Sequence, residues 1–328
     1  MPILDTTFLD YMTRKHFEPA LKNQIYDRRV LWNKLNEGGR IKTLVGSALQ
    51  WNVVNTKHQA IGLLSGYETM ANQQVNPVTQ ATLNPAFYYA TVGISMEEEI
   101  KNSGSMEKLL DMVSTQFDNA RISLETQMNT DAYGTGATIS GKYPITGLGA
   151  ICDQYGGTIT TYAGISRASA TSFWNSYVDS TAYTYSNSID TTSNQYLPKV
   201  MRTAYATATH DLSPNLILTT KNVYNMYMDI VAEKVRIDNK MADLGFGGAE
   251  FMGGAAKLAF DDYATPNHMW FLTLDDFALW VYAGMNFNTD GWKVPTDQAA
   301  KLTHIFWMGQ LQCTAPREQA VITAVATS

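Results

Sequence analysis

At 328 residues the chain is long enough for two domains, or one elaborate one, around a large core. It is 45% hydrophobic and only 16% charged, with a formal net charge of −6, where an average soluble domain is about one quarter charged; such a surface suits burial against copies of itself. No apolar run approaches the roughly 20 residues that span a bilayer, and Met1-Pro2-Ile3-Leu4-Asp5 lacks the basic start and apolar stretch of a signal peptide, so a membrane protein is excluded and no membrane partner is expected.

Residues 1–45 hold eight Lys or Arg against five Asp or Glu, and the rest of the chain 16 against 25. The bias could face a polyanion or be a solvated helix face, and the interleaved acids favour the second reading. Phe17, Leu21, Ile25, Leu31, Trp32 and Leu35 fall near helical spacing before Gly38 and Gly39, which predicts an extended arm carrying one amphipathic helix over 17–36.

From Thr43 to Met96 the chain carries two formal charges, Lys57 and Glu68, in 54 residues, where about 13 would be average. Leu49, Trp51 and Val53 alternate with Gln50 and Asn52, and Tyr88, Ala90, Val92 and Ile94 alternate likewise. Between them Gly62, Ser65, Gly66, Asn72, Asn76, Pro77, Asn84 and Pro85 supply turn chemistry. The expectation is one long hairpin, its two strands rising from a body and its tip far from it. A hairpin is marginal alone in water, and so few solvating charges imply surface that another subunit covers; the alternative is a sheet folded back on its own domain.

Ser95-Met96-Glu97-Glu98 has capping-box spacing and starts a short helix that breaks near Gly104. From Ser105, Met106, Leu110, Val113, Phe117, Ala120, Leu124 and Met128 recur every three or four residues until Gly134 and Gly136, giving the longest helix. Its stripe reads as core rather than as a coiled-coil seam. Residues 141–254 are rich in Thr, Tyr, Ser and Gly; Tyr196–Thr209 reads as helix, Asn215–Thr219 as buried strand, and Lys221–Val235 as a helix with Val223, Met226, Tyr227, Ile230 and Val231 inward. Gly245, Gly247, Gly248, Gly253 and Gly254 mark a flexible loop. Strands follow at Trp270-Phe271-Leu272, Phe277–Tyr282, Thr303–Cys313 and Gln319–Val325.

Signatures of catalysis are missing: there is no Gly-x-Ser-x-Gly, His-Glu-x-x-His, Walker loop or Cys-x-x-Cys. His16, His58, His210, His268 and His304 are scattered, and Cys152 and Cys313, at no metal spacing, read as buried thiols of a reducing compartment. Asp261-Asp262 and Asp275-Asp276 are paired carboxylates, but neighbours in an extended segment point to opposite faces, so turn formation is the better reading. Gly245-Phe246-Gly247-Gly248 follows no convincing strand and is a weak phosphate signal. The 18 tyrosines lie among uncharged or acidic neighbours and suit interface packing more than base stacking. No catalytic, cofactor-binding or metal-binding residue is assigned.

Gly147-Leu148, then Tyr162-Ala163-Gly164-Ile165-Ser166-Arg167-Ala168, then Trp174-Asn175, resembles the opening of the apical domain in coat proteins of tailed bacteriophages. Trp307-Met308-Gly309-Gln310-Leu311 with Thr314–Arg317 is similar to that family's closing strands, and Trp51 and Val92–Ser95 extend the likeness over nearly the whole chain. The resemblance, to the major capsid proteins of tailed phages whose fold also underlies encapsulins and the herpesvirus capsid floor, implies an α+β fold. It implies an N-terminal arm (1–45), an extended loop (46–95), a peripheral domain with a spine helix (96–140), an apical domain (141–255) and returning strands, mainly peripheral (256–328). It further implies a non-enzymatic protein that self-assembles through hexamers and pentamers into an icosahedral shell around double-stranded DNA held without sequence specificity. A separate scaffolding protein and a portal protein would be its partners, the virion its location, and the host cytoplasm its place of assembly. Trp51, Val53, Lys57, Tyr67, Phe87 and Tyr89 are the expected interface residues. Some members join the loop to a neighbour through a Lys–Asn bond, and Lys57 is the only lysine here, with no partner Asn assigned. The competing expectations are an encapsulin-like compartment and a monomeric binding protein or hydrolase.

Overall fold

A computed structural model describes residues 30–57, 61–70, 76–102, 106–169, 172–181, 197–232, 249–251, 254–296 and 299–325. The expectations resting on Phe17, Leu21, Ile25, His16, His58, Gly104, Gly245, Gly247, Gly248 and Gly253 lie outside them.

The described elements run in the order α1 (Val30–Glu37), β1 (Ile41–Leu44), β2 (Leu49–Val54), β3 (Val78–Leu83), β4 (Ala86–Ser95), α2 (Met96–Asn102) and α3 (Met106–Tyr133). There follow α4 (Leu148–Ile151), β5 (Thr161–Tyr162), β6 (Ile165–Ser166), β7 (Tyr177–Asp179), α5 (Leu197–Ala208), β8 (Leu216–Thr219), α6 (Lys221–Ala232), β9 (Ala249–Phe251), β10 (Ala256–Phe260), β11 (Met269–Leu272), β12 (Phe277–Thr289), β13 (Ala300–Cys313) and β14 (Ala320–Ile322). They form a four-stranded sheet ordered β1-β12-β13-β4, a six-stranded sheet ordered β7-β14-β11-β8-β10-β9, and two small hairpins, β2-β3 and β5-β6.

Local chemistry sets several of these elements. Ser95 Oγ accepts the Glu98 N–H at 3.2 Å while Glu98 Oε2 accepts the Ser95 N–H at 3.4 Å, the reciprocal box expected at the head of α2. The 28 residues of α3 span about 42 Å and bury Val113, Phe117, Leu124 and Met128 as the spacing predicts. The same helix also buries Arg121, Glu125 and Asn129, so its inner face is not the purely apolar stripe expected.

Alternation within β8 and β11 sorts their side chains between two cores. Leu216, Leu218, Trp270 and Leu272 join the cluster built on the four-stranded sheet, α1 and α3. Ile217, Met269 and Phe271 join the cluster under α5 and α6. Both strands are buried along their length because helices or strands cover both faces, which is why they read as unbroken apolar runs.

Two expectations require correction. The strand at 88–94 does not return the hairpin that starts at 49: β2 pairs with β3, from Leu49↔Leu83 to Val54↔Val78, whereas β4 pairs with β13 from Ala86↔Gly309 to Ser95↔Ala300. Two alternating runs carry no information about which strand each meets, and Asn84 and Pro85 turn the chain out of one sheet into another. A break at 255 also cuts through one sheet, because β10, β11 and β14 hydrogen-bond into the sheet of β7 and β8, and only β12 and β13 lie in the other.

The segment 147–176 is knotted around one side chain. Arg167, 1% exposed, donates from Nε to the Trp174 carbonyl (3.2 Å), from Nη1 to Ile159 (3.0 Å), and from Nη2 to Ala150 (2.9 Å) and Ile151 (2.7 Å). Trp174 Nε1 donates to the Tyr162 carbonyl (3.0 Å), its ring stacks on Tyr162, and Tyr162 Oη accepts the Cys313 N–H (2.9 Å). Gly147 is required beside it: a Cβ there would lie 2.3 Å from the Asp131 carbonyl oxygen and 2.6 Å from those of Ala132 and Gly134. Cys152 and Cys313 are buried free thiols, which burial pushes well above their usual pKa. Arg167→Met leaves the Ala150, Ile159 and Trp174 carbonyls without their donor, while Ile151 keeps Ser176 Oγ, and is expected to cost at least about 3 kcal/mol, read as a lower urea midpoint, with Arg167→Lys recovering only a minor part because an ammonium cannot reproduce the planar fork.

Candidate assembly interface

The β2-β3 hairpin is fixed at its root and open at its tip. Leu49, Ala81 and Leu83 are buried in the larger core, the Thr82 N–H donates to the Ala163 carbonyl of the β5-β6 turn (2.9 Å), and beyond the strands Asn55 N–H donates to the Pro77 carbonyl (2.8 Å) and Asn55 Nδ2 to Thr79 Oγ1 (2.6 Å). From there outward, every residue between 61 and 70 is exposed. These include Ile61, Leu63, Leu64, Tyr67 and Met70, with Leu63 and Tyr67 wholly open to solvent. The chain turns at Gly66 (φ +64°), and Glu68 serves the tip locally, accepting the Ser65 N–H at 3.4 Å. Residues 61–70 of this charge-poor limb are therefore not buried against the chain's own domain.

The six expected interface residues fall in three places. Trp51 and Val53 are half-buried against the chain's own core, on the inner face of the hairpin, where they help to hold the limb. Lys57 and Tyr67 are exposed on the limb. Phe87 and Tyr89 are exposed on the outer face of the four-stranded sheet, where Phe87 stacks on Phe306 (5.5 Å) and His304 stacks on Phe306 (5.8 Å). Tyr88 between them points inward, donating to Asp131 Oδ2 (2.6 Å) and accepting the Ile145 N–H (2.9 Å). Ile61, Leu63, Leu64 and Met70 were not among the expected residues. Their signal was available, since apolar residues set among turn-formers in a charge-poor stretch cannot all be buried by so short a loop.

Groups that could do chemistry are not gathered. No set of three or more His, Cys, Asp or Glu among the described residues is placed to hold a metal ion. Asp261 is buried and accepts the Tyr263 N–H (3.0 Å) while Asp262 is exposed; Asp276 is buried while Asp275 pairs with Arg40. Each doublet thus splits across two faces. Among the described residues no helix is long and apolar enough to cross a membrane.

No protein family and no curated protein matches the sequence. Solved structures do match in fold. Against the capsid asymmetric unit of cyanophage A-1(L), the TM-score is 0.64 at 16% identity, covering 87% of this chain and 90% of that one. The capsid of a native GTA particle gives 0.53 at 11% identity over 89% and 90% of the two chains. The procapsid of satellite phage P4, which includes a size determination protein, gives 0.50 at 8% identity over 98% and 97%. The chain has the α+β capsid fold of the tailed phages.

The different duties of root and tip are separable by mutation. Leu63→Asp with Tyr67→Asp is expected to leave the unfolding free energy of the dispersed chain within about 0.5 kcal/mol of wild type, whereas Trp51→Ala is expected to cost about 1–3 kcal/mol, less than a fully buried tryptophan would. Urea denaturation of the three proteins measures both.

Proposed function

We propose that the chain is a phage major capsid protein, a structural protein without catalytic activity that assembles with copies of itself, through hexamers and pentamers, into an icosahedral shell around double-stranded DNA. The observation that carries this reading is the charge-poor limb beyond β2 and β3, rooted through Leu49, Ala81 and Leu83 and exposing Ile61, Leu63, Leu64, Tyr67 and Met70 within 61–70. In this reading 1–45 is the N-terminal arm, 46–95 holds the extended loop, α3 is the spine of the peripheral domain, and the six-stranded sheet with α5 and α6 is the apical domain.

Burying Ile61, Leu63, Leu64 and Met70 on a neighbour contributes roughly 6–12 kcal/mol at about 1.5–3 kcal/mol for each side chain. Association costs about 4–15 kcal/mol in lost translational and rotational freedom. One limb on one neighbour is therefore near balance, and closure of a shell comes from many such contacts acting together. That weakness is useful, since marginal contacts let a misplaced subunit leave. The 25 acidic against 16 basic residues after residue 45 suit an inner wall that does not hold packaged DNA tightly. A separate scaffolding protein and a portal are the partners this reading requires, with assembly in the host cytoplasm and residence in the virion; the size determination protein in the P4 procapsid is the kind of assembly factor meant.

Coexpressed with its scaffold, wild-type protein is expected to form closed particles of uniform size by negative-stain microscopy, and Leu63→Asp with Tyr67→Asp is expected to reduce their yield by at least tenfold while the soluble subunit accumulates. Normal particle yield from that variant would overturn the reading of the limb, and particles filled with a protein cargo instead of DNA would place the chain among compartment shells.

A further inference from the structure

The chain crosses between its two sheets at two adjacent turns, and each turn carries a buried carboxylate. One crossing leads from β11 to β12 through a 3-10 turn at Leu274–Asp276, the other from β13 to β14 through a 3-10 turn at Pro316–Glu318. They are laced side by side. The Thr314 N–H donates to the Asp276 carbonyl (3.0 Å), Thr273 Oγ1 donates to the Glu318 carbonyl (2.9 Å), and Gln319 Oε1 accepts the Thr273 N–H (2.8 Å).

Within this lacing the Asp276 and Glu318 carboxyls lie near enough to act on each other's charge, each less than a tenth exposed. Asp276 accepts from Thr314 Oγ1 (3.2 Å) and from Gln319 Nε2 (3.1 Å), and Glu318 Oε1 accepts the Asp211 N–H (3.2 Å). Glu318 Oε2 is buried with no donor. Ionised carboxylates only accept, so two of them side by side would leave that oxygen orphaned and repel each other in a poorly screened site. A proton on Asp276 supplies the missing donor.

We propose that Asp276 holds a proton turned toward the Glu318 carboxylate that fastens the two crossings together, and that its loss as the pH rises loosens the joint between the sheets. Burial, and next to it the Glu318 charge, pushes the Asp276 carboxyl up to about 7, against the opposing hydrogen bond from Thr314 and with a smaller push from Asp275. The other groups around the pair do not supply a competing proton. Asp275 is matched by Arg40 and Arg317 is exposed. Cys313 is a buried thiol raised far above neutrality, and His210, beside Asp211, is held below its usual value by desolvation and by Arg317, against an opposing pull from Glu318. A carboxyl raised in the folded state stabilises it fully below the unfolded value, near pH 4, and that stabilisation declines until the pH passes the folded value. The window of loss is therefore about pH 4 to 7.

Glu318→Gln tests this directly, because its Oε1 can still accept the Asp211 N–H while its Nε2 donates toward Asp276 whatever the pH. With the full-length chain in one assembly state, the wild-type Tm is expected to fall by roughly 2–5 °C between pH 5 and 8 relative to Glu318→Gln, which should be the more stable protein at pH 8. Asp276→Asn should lose the same dependence, and His210→Gln should keep it. Infrared spectra of the wild type should show a protonated carboxyl at pH 6 that is gone at pH 8. Parallel pH profiles for wild type and Glu318→Gln, a slope abolished by His210→Gln instead, or no protonated carboxyl at pH 6 would each overturn the proposal.

Discussion

The outward reach of this molecule depends on the root of its β2-β3 hairpin. Leu49, Ala81 and Leu83 anchor the two strands in the main core, and Trp51 and Val53 lie half-buried along the same face. Thr82 ties the root to the β5-β6 turn through Ala163, and that turn is itself held by the Arg167, Trp174 and Tyr162 knot. A two-stranded ribbon has no independent stability, so it can project an apolar tip into solvent only if the cost is met where the ribbon enters the body. The motif residues around 147–174 therefore act on the limb at a distance, by giving its base a rigid seat.

That division separates the apolar tip from the seat that carries it. Leu63 and Tyr67 are wholly exposed beyond the paired strands of the ribbon, which end at Val54 and Val78. A groove formed by more than one element of a neighbour can enclose that tip, whereas a flat surface can touch only one side. Selectivity of this kind comes from shape and repetition rather than from charge, in keeping with a segment that carries only Lys57 and Glu68 as formal charges.

What could be read from the residues alone was what neighbours in sequence decide. The Ser95 to Glu98 box, the apolar spacing of α3, and the strand-helix order of β8 and α6 are local, and each is present. The alternation of Tyr88, Ala90, Val92 and Ile94 was legible too, with Val92 and Ile94 buried. Its partner was not, because period two gives a strand its faces and leaves its neighbour open; Ser95↔Ala300 spans most of the chain. The same limit hid that Trp51 lies on the hairpin, packed against the core, while Phe87 and Tyr89 lie exposed on the four-stranded sheet. Aromatic residues on alternating strands signal burial of one face, and which face a subunit contact uses is decided by tertiary placement.

Buried polar groups were the least legible of all. Nothing local distinguishes Arg121, Glu125 and Asn129 from solvated positions on a long helix, nor Asp276 and Glu318 from ordinary turn residues, until strands from distant parts of the chain close over them. The two crossings show why such groups are tolerated. A backbone leaving one sheet for another must break its ladder, and the freed N–H and carbonyl groups need partners that side chains of Thr273, Thr314 and Gln319 provide. Once the joint is polar for that reason, a carboxylate beside it is surrounded by groups already oriented by hydrogen bonds. The joint between the sheets and the root of the limb then follow one logic: each lets a part of the fold leave its sheet, and each adds directed bonds to apolar burial at the point of departure.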